Sequence, residues 1–420
     1  MKVAVPQLAW FGDNELELEF PEEWNVKVQI MKGHGKKPVG EAEIIHALRN
    51  PVGTEPLRKL ASDKKEVVII FDDMTRPTKV HELLPHVIFE LKAAKIKDDK
   101  IRFVCANGAH GVYDREDFSK KLGESIVENY PVFNHNPYDN LSYVGRTKYG
   151  TPVEINAEVM ACDLKIAIGC IVPHPYYGYG GGSKIVLPGI SGMRSICYNH
   201  GDLGGFSTAQ NYREVHPSCE MAYGRVNEKN IVRLDSEEAA KMAGLDIIVN
   251  VLLDLKRNST DVFSGDVVKA QRKGAEVAKK HYSTPILPNV DIVVSNAYSK
   301  ASEATLASWP AFTLKEGGDL VLIVNAPTGQ VTHYVHGRWG TRVFGDLYLV
   351  PPTIMLERVE RIILLSKYHE RQPWFEMVPP EKTVKVKTWG EVMEELMNKH
   401  KNKNKVKVAV YPDATIQKPL

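Results

Sequence analysis

The sequence lacks three features that would assign it to membranes or nucleic acids. No apolar run approaches the roughly 18 residues that a membrane-spanning helix needs. The N-terminus continues into Asp13, Glu15 and Glu17 and does not resemble a signal sequence. The 54 basic and 52 acidic side chains leave a formal net charge of only +2. We therefore expect a cytoplasmic protein with no membrane segment and no nucleic-acid partner.

Cysteine is also scarce. Five cysteines lie far apart in 420 residues, without a Cys-x-x-Cys pair, at positions 105, 162, 170, 197 and 219. Their odd number and spacing argue against a disulfide framework and a zinc knuckle, so they are predicted to be reduced thiols. No His-Glu-x-x-His motif, calcium loop or Gly-x-Ser-x-Gly elbow is found. These absences argue against an all-protein metal cage and a serine hydrolase.

Short apolar runs that end in polar residues and glycine recur along the chain. They cover 66–71, 101–104, 164–168, 247–253, 292–294 and 320–324. Continuous apolar runs are typical of strands that are buried on both faces, and helical patterns at 77–91, 236–242 and 267–281 separate them. We expect Pro77 at the first position of its helix. The fold class is predicted to be α/β with mostly parallel sheets.

The length favours two domains. The segment 283–288 breaks the pattern after a helix, which predicts an N-terminal domain over 1–282 and a C-terminal α/β domain over 285–404. The lysine- and asparagine-rich run 398–405 is predicted to be a solvated helix end and linker. The strand at 406–410 is expected to return the chain end, 405–420, to the first domain.

The densest motif is Pro173-His174-Pro175-Tyr176-Tyr177-Gly178-Tyr179-Gly180-Gly181-Gly182-Ser183-Lys184, followed by Ile185-Val186-Leu187-Pro188-Gly189. Its glycines, including Gly180, Gly181 and Gly182, allow a positive φ or a close approach of the backbone to a ligand. Lys184 offers a cation or a nucleophilic amine. The order Ser-Lys-Ile differs from the Gly-Lys-Ser/Thr of a P-loop, which argues against nucleotide hydrolysis. The alternative is a glycine-rich turn with an incidental lysine.

A second motif, Asp73-Met74-Thr75-Arg76-Pro77, follows a predicted strand. Arg76 at a helix N-terminus is able to hold a carboxylate or a phosphate. An Asp73–Arg76 ion pair with helix capping explains the motif equally well.

Histidines supply the remaining candidates. His110 and His174 each follow a predicted strand, and imidazole exchanges protons near neutral pH. His200 shares a predicted helical face with Met193, Ile196 and Cys197, which by itself favours a buried core histidine. We interpret His333 and His336 as loop histidines.

Three motifs occur in one order: Asp73-x-Thr75-Arg76-Pro77, Gly108-x-His110, and Pro173-His174 with Gly180-Gly181-Gly182-x-Lys184-x-x-x-Pro188-Gly189. Together they resemble the lactate racemase family, the racemases and epimerases that depend on a nickel-pincer nucleotide. Similarity extends to 16–21 and 315–318, and so covers most of the chain. The resemblance implies a two-domain isomerase with its active site in the interdomain cleft, where the second domain closes over the substrate.

The resemblance also implies a cofactor. In this family it is a pyridinium mononucleotide with thioamide and thiocarboxylate arms, attached covalently to a lysine and carrying nickel. Lys184 matches the attachment position, and His200 matches the nickel ligand, which reverses the interpretation of His200 as a core residue. Gly180, Gly181, Gly182 and Thr75 are the further expected cofactor-binding residues. Maturation proteins that build the cofactor are implied as partners.

The implied reaction inverts a 2-hydroxy acid by reversible hydride transfer to the cofactor. His110 and His174 match the acid/base pair. Arg76 and Asp73, with Tyr298 and Lys300 of the loosely matching segment 295–303, are expected to bind the substrate. Lactate and longer or polyhydroxylated acids both stay open as substrates. The alternatives are a non-enzymatic carboxylate- or nucleotide-binding protein and a 2-hydroxy acid dehydrogenase.

Overall fold

The computed structural model describes residues 1–204, 222–334, 358–371, 379–401 and 405–420. These residues belong to two compact units. The terminal unit contains Met1–His34, His281–Val331 and the described residues from 358 onward. The central unit contains Gly35–Lys280 and the described residues 332–334.

The strands of the described residues are, in chain order, β1 (Lys2–Gln7), β2 (Asn14–Glu19), β3 (Asn25–Val28), β4 (Val67–Asp72), β5 (Ile101–Ala106), β6 (Val132–Asn134), β7 (Leu141–Arg146), β8 (Pro152–Asn156), β9 (Leu164–Cys170), β10 (Pro173–His174), β11 (Gly178–Tyr179), β12 (Ile247–Leu253), β13 (Ser259–Gly265), β14 (Ser283–Thr284), β15 (Val290–Asn296), β16 (Leu314–Ile323), β17 (Val359–Leu365), β18 (Thr383–Val386), β19 (Lys407–Tyr411) and β20 (Lys418–Pro419).

The α-helices are α1 (Glu41–Arg49), α2 (Leu57–Leu60), α3 (Leu84–Ala93), α4 (Arg115–Leu122), α5 (Glu124–Asn129), α6 (Ala157–Met160), α7 (Met193–Ile196), α8 (Ile231–Met242), α9 (Lys269–His281) and α10 (Trp389–His400). A π-helical segment, Cys197–Leu203, continues α7. Short 3-10 turns include Val80–Glu82 and Gly182–Ile185. None of the described helices is both long and apolar enough to cross a membrane.

The central unit is built on a six-stranded sheet with the order β13-β12-β9-β4-β5-β6. Its strands are parallel except for β13, which is antiparallel to β12. Every residue of β9 and of β12 is buried, because each strand is an apolar run covered on both faces. One face packs against a hydrophobic core that includes Ile190, Met193 and Ile196.

The terminal unit contains a second six-stranded sheet, with the order β18-β17-β16-β15-β19-β3. All of its neighbouring strands are parallel. Two hydrophobic clusters form its core, one including Val294 and Val321 and the other including Val293 and Leu320. Neighbouring residues of one strand therefore belong to different clusters, as expected for a sheet that is covered on both faces.

The prediction of an α/β fold with mostly parallel sheets is confirmed, and three local expectations differ from the structure. The chain end, expected to return to the first predicted domain, does pair with β3 of residues 1–282, but β19 also pairs with β15 and so belongs to the terminal unit. Residues 1–34 also belong to that unit, although the sequence grouped them with the first predicted domain. Pro77 does not begin a helix, since the next α-helix, α3, starts at Leu84 with Pro85 in its first turn.

Candidate active site

The central sheet brings three predicted site segments to one edge. β9, β4 and β5 are adjacent, and their carboxyl ends lead into His174, Asp73 and His110 respectively. After β4 the chain forms β5 and β6 on one side of that strand, and it later forms β9 and β12 on the other side. The β4/β9 boundary is therefore a topological switch point, where open α/β sheets bind ligands.

Asp73 and His110 form a buried pair. The Nδ1 atom of His110 lies 2.6 Å from Oδ2 of Asp73. Burial opposes the charge on Asp73, but His110, Arg76 and Thr75 outweigh that effect and lower the pKa of the carboxyl group to about 2. The carboxylate is therefore ionised at any working pH, and His110 donates its Nδ1 hydrogen to it.

The turn after β4 carries Thr75 and Arg76. The Thr75 hydroxyl donates to Asp73 Oδ1 and accepts from the Arg76 guanidinium at 2.8 Å. Arg76 is half-buried. The predicted Asp73–Arg76 association thus runs through Thr75. Thr75 stays a predicted cofactor-binding residue, with its hydroxyl already joined to two neighbours.

His174 lies on the short strand β10 and has a different hydrogen-bond environment. Its Nδ1 atom accepts from the backbone N–H groups of Tyr176, at 3.2 Å, and Tyr177, at 3.4 Å. Its ring centroid lies 5.4 Å from that of Tyr177. The two predicted acid/base histidines therefore use Nδ1 in opposite senses, His110 as a donor and His174 as an acceptor.

The glycine segment packs closely against its own sheet and helix. Gly181 and Gly182 have φ values of +72° and +59°. A Cβ atom would lie 2.6 Å from Asn250 Oδ1 at Gly181 and 2.6 Å from Gln271 Cγ at Gly182. Gln271 also donates to the carbonyl of Gly180. Contacts within the protein are thus enough to require glycine at 181 and 182, whether or not a ligand also approaches.

Lys184 and His200 approach the same aromatic ring. The Lys184 Nζ atom lies 5.7 Å from the centroid of the Tyr177 ring, and the His200 imidazole lies 5.6 Å from it. His200 belongs to the π-helical segment rather than to the α-helix that the spacing predicted, since α7 ends at Ile196. Such segments are rare and are frequent at functional sites.

His333 lies beside His110, with ring centroids 5.0 Å apart and a backbone bridge between the two residues. The sequence predicted only a loop histidine at this position. His336 and Cys219 lie outside the described residues.

The other two predicted substrate residues belong to the terminal unit. The Tyr298 hydroxyl donates to Asp13, and the buried Lys300 Nζ lies 2.6 Å from Glu303 Oε2. Their role at a substrate stays a prediction. Asn296 also lies in the terminal unit. Its amide oxygen accepts a hydrogen bond from Gln7, and its amide nitrogen donates to backbone carbonyls.

Sequence reasoning missed the residues that hold these groups in place. From the interior, Tyr177 contacts His174, Lys184 and His200. Lys121 bonds to the backbone of the single turn from Asp73 to Arg76. Tyr177 lies within the glycine motif and was therefore visible as a candidate. Lys121 carries no such signal, because a lysine in an amphipathic helix normally points to solvent.

Comparison with known proteins supports one family. Residues 11–210 match the lactate racemase N-terminal domain. The lactate racemase of Lactiplantibacillus plantarum is 32% identical over 296 residues, which are 68% of this chain and 66% of that protein. The lactate racemase of Thermoanaerobacterium thermosaccharolyticum is 29% identical over 331 residues, which are 76% of this chain and 74% of that protein.

The fold agrees with these sequence relationships. The structure of the lactate racemase apoprotein from Thermoanaerobacterium thermosaccharolyticum superimposes with a TM-score of 0.73 at 24% identity, and the match covers 100% of both chains. The chain belongs to the lactate racemase family, a family of isomerases.

Proposed function

We propose that the protein inverts the hydroxyl-bearing carbon of a 2-hydroxy acid, with His110 and His174 as its acid/base pair. The observation that carries this proposal is the opposite hydrogen bonding of the two imidazoles at one edge of the central sheet. A racemase must handle the hydroxyl proton of two enantiomers, and a pair of proton-handling groups, one for each enantiomer, suits that task. The relatives named lactate racemase support the reaction class.

His110 suits the role of general base. Because its Nδ1 hydrogen is donated to the Asp73 carboxylate, its Nε2 atom is the acceptor in the neutral ring. When Nε2 takes the hydroxyl proton, the buried carboxylate stabilises the resulting imidazolium. Asp73 thereby fixes both the tautomer and the orientation of His110, which is the function of the third group in many acid/base constellations.

With its Nδ1 atom accepting backbone hydrogen bonds, His174 suits the role of a hydrogen-bond donor to the substrate. Its Nδ1 atom accepts two backbone N–H groups, so its hydrogen is on Nε2. An Nε2–H group stabilises negative charge on the substrate oxygen. Proton uptake by His174 requires Nε2 to become an acceptor, so a change of tautomer or ring orientation accompanies the reaction of the opposite enantiomer.

Arg76 is the proposed partner of the substrate carboxylate. The residue is half-buried, and its guanidinium donates to the Thr75 hydroxyl, which in turn donates to Asp73. A planar guanidinium matches a carboxylate with two parallel hydrogen bonds. This clamp would hold the hydroxyl-bearing carbon close to the histidine that Asp73 also orients.

Lys184 and His200 fit the nickel-pincer nucleotide that the sequence resemblance implies. Both contact the Tyr177 ring, so they lie within reach of one organic group. Imidazole is a donor that suits nickel, and no group of three His, Cys, Asp or Glu side chains in the described part of the chain could hold a metal by itself. When bound, the cofactor would supply the acceptor for the hydrogen of the substrate carbon. Lys184 would hold it covalently, and His200 would ligate its metal.

The proposed substrates are 2-hydroxy acids, from lactate to longer or polyhydroxylated members. Proteins that build the cofactor are the proposed partners, and a cytoplasmic location stays a prediction of the sequence. Tyr298 and Lys300 are proposed to contribute to the substrate site.

The test uses protein made in cells that synthesise the cofactor. We expect an adduct on the peptide that contains Lys184 and nickel near one per chain. Enantiopure 2-hydroxy acids with deuterium on the reacting carbon should be inverted with deuterium retained. Loss of deuterium to solvent would contradict hydride transfer. Net keto-acid formation that requires added NAD would favour a dehydrogenase, and ligand binding with neither adduct nor nickel would favour a binding protein.

A further inference from the structure

The aromatic ring of Tyr177 is shared by three proposed site residues. His174 and Lys184 belong to the glycine motif and His200 to the π-helical segment. The two imidazole centroids and the Lys184 Nζ atom lie 5.4 to 5.7 Å from the centroid of this ring. The side chain of Tyr177 is buried, with 2% of the residue exposed. It therefore fills the space between these residues.

The hydroxyl group of Tyr177 joins the lysine and histidine segments. It donates toward the backbone carbonyl of Leu187 at 3.0 Å and toward Oδ1 of Asn199 at 2.7 Å. Leu187 follows Lys184 by one turn, and Asn199 directly precedes His200. One phenol hydrogen shared between these two acceptors restrains the two segments against each other.

Asn199 is itself held in one orientation. Its Nδ2 atom donates to Asp235 Oδ2 at 2.7 Å and to the carbonyl of Val232 at 3.1 Å, so its Oδ1 atom must face Tyr177. Asp235 is completely buried and accepts the hydroxyl hydrogens of Thr147 and Thr151. Each member of this chain of hydrogen bonds thus limits the freedom of the next.

We propose that Tyr177 is a positioning residue that sets the separation of Lys184 and His200, with Asn199 and Asp235 holding its hydroxyl group. This inference rests on the proposed function, because a cofactor bound at both positions requires a fixed distance between them. The ring alone would keep the side chains apart. The hydroxyl adds a restraint on the segment of His200, which would ligate the metal of a cofactor attached to Lys184.

The test compares Tyr177→Phe with Tyr179→Phe in protein matured with the cofactor. Tyr177 directly precedes β11 and Tyr179 ends it, both are buried, and the Tyr179 hydroxyl also donates to a backbone carbonyl, that of Gly224, at 2.9 Å. The substitutions therefore remove the same atom from similar surroundings. The mass of the peptide containing Lys184 shows whether the adduct is present. The nickel that remains after timed dialysis against a chelator measures how firmly the proposed ligand His200 retains the metal. The thermal unfolding midpoint identifies general destabilisation.

We expect Tyr177→Phe to keep the adduct and to lose nickel about 10-fold to 100-fold faster than Tyr179→Phe, a range typical of groups that orient metal ligands. The two variants should unfold at similar temperatures. Equal nickel retention in the two variants would overturn the proposal.

A second variant, Asn199→Gln, tests the same series of hydrogen bonds without altering the Tyr177 ring. It keeps the amide but moves it by one methylene group, and we expect faster nickel loss than in Tyr179→Phe. If Tyr177→Phe failed to fold, unchanged nickel retention in Asn199→Gln would be enough to reject the proposal. Wild-type protein with neither adduct nor nickel would overturn the proposed function as well, whereas loaded wild type with no effect of either variant would overturn this inference alone.

Discussion

The Nζ atom of Lys121 lies 2.7 Å from Oδ1 of Asp72 in the interior of the central unit. The same ammonium donates to the backbone carbonyls of Asp73, at 3.0 Å, and Arg76, at 2.9 Å. Lys121 comes from α4, whose first turn is fixed by a capping box at Asp114. One buried cation therefore holds both ends of the turn that orients the proposed base and the proposed carboxylate clamp.

Lys121→Met should lower the free energy of unfolding by about 3 to 5 kcal/mol, because it leaves the Asp72 carboxylate without its buried partner. Urea denaturation at neutral pH measures this change. The matched control is Lys120→Met, which removes an ion pair with the exposed Glu116 and should cost less than about 1 kcal/mol. Equal losses in the two variants would contradict a special role for Lys121.

Acid should remove a stabilising contribution of Asp73. Its pKa is lowered to about 2 in the folded protein, against about 3.9 in an unfolded chain. The contribution is therefore complete above about pH 4 and is lost as the pH falls toward 2. The free-energy difference between wild type and Asp73→Asn should shrink by about 2 kcal/mol between pH 6 and pH 2.5. A difference that stays constant across this range would be evidence against the lowered pKa.

Asp413 should show the opposite pH dependence. Burial raises the pKa of this carboxyl group to about 6, despite hydrogen bonds from Ser299 and Thr415. Its protonated form suits the fold, so its contribution is favourable at acid pH and is lost as the pH rises from about 4 through 6. Asp413→Asn should therefore stabilise the protein by about 1 to 3 kcal/mol at pH 7.5 and by much less at pH 4. Urea unfolding of both proteins at both pH values measures this change, and a variant that is less stable than wild type at pH 7.5 would contradict the prediction.

The edge of the central sheet was predictable from the sequence. Asp73, His110 and His174 each follow a buried apolar run, and parallel strands bring their carboxyl ends to a common edge. The position of each of these residues can therefore be predicted from one strand and the few residues that follow it. The contact between Asp73 and His110 follows because β4 and β5 are neighbours.

Contacts between distant segments were not predictable in this way. The pairing of β19 with β3 joins the two ends of the chain, and no local pattern specifies which sheet accepts them. The glycines at 181 and 182 suggested a ligand, yet their nearest neighbours are Asn250 and Gln271, from β12 and α9. His333 appeared to be a loop residue because its contact with His110 spans more than half of the chain.

Replacing each of the two proposed proton-handling histidines should slow the reaction of a different enantiomer. His110→Gln and His174→Gln are both expected to abolish full interconversion while leaving the adduct on Lys184 intact. In a single turnover, however, each should still form the 2-keto acid from one enantiomer, because the other histidine serves that face. With the other enantiomer, the rate should fall by about 100-fold to 10,000-fold, as is typical when a general acid or base is lost.

Rapid-quench measurement of the keto acid from each pure enantiomer checks this expectation. His86→Ala is the control, since His86 lines a separate cavity near Glu82 and Asn258. Asp73→Asn should reproduce the enantiomer preference of His110→Gln in milder form, because it alters the tautomer of His110 without removing the ring. If one histidine variant lost the half-reaction with both enantiomers and the other lost it with neither, a single residue would be handling the proton on both faces, and the paired assignment would be wrong.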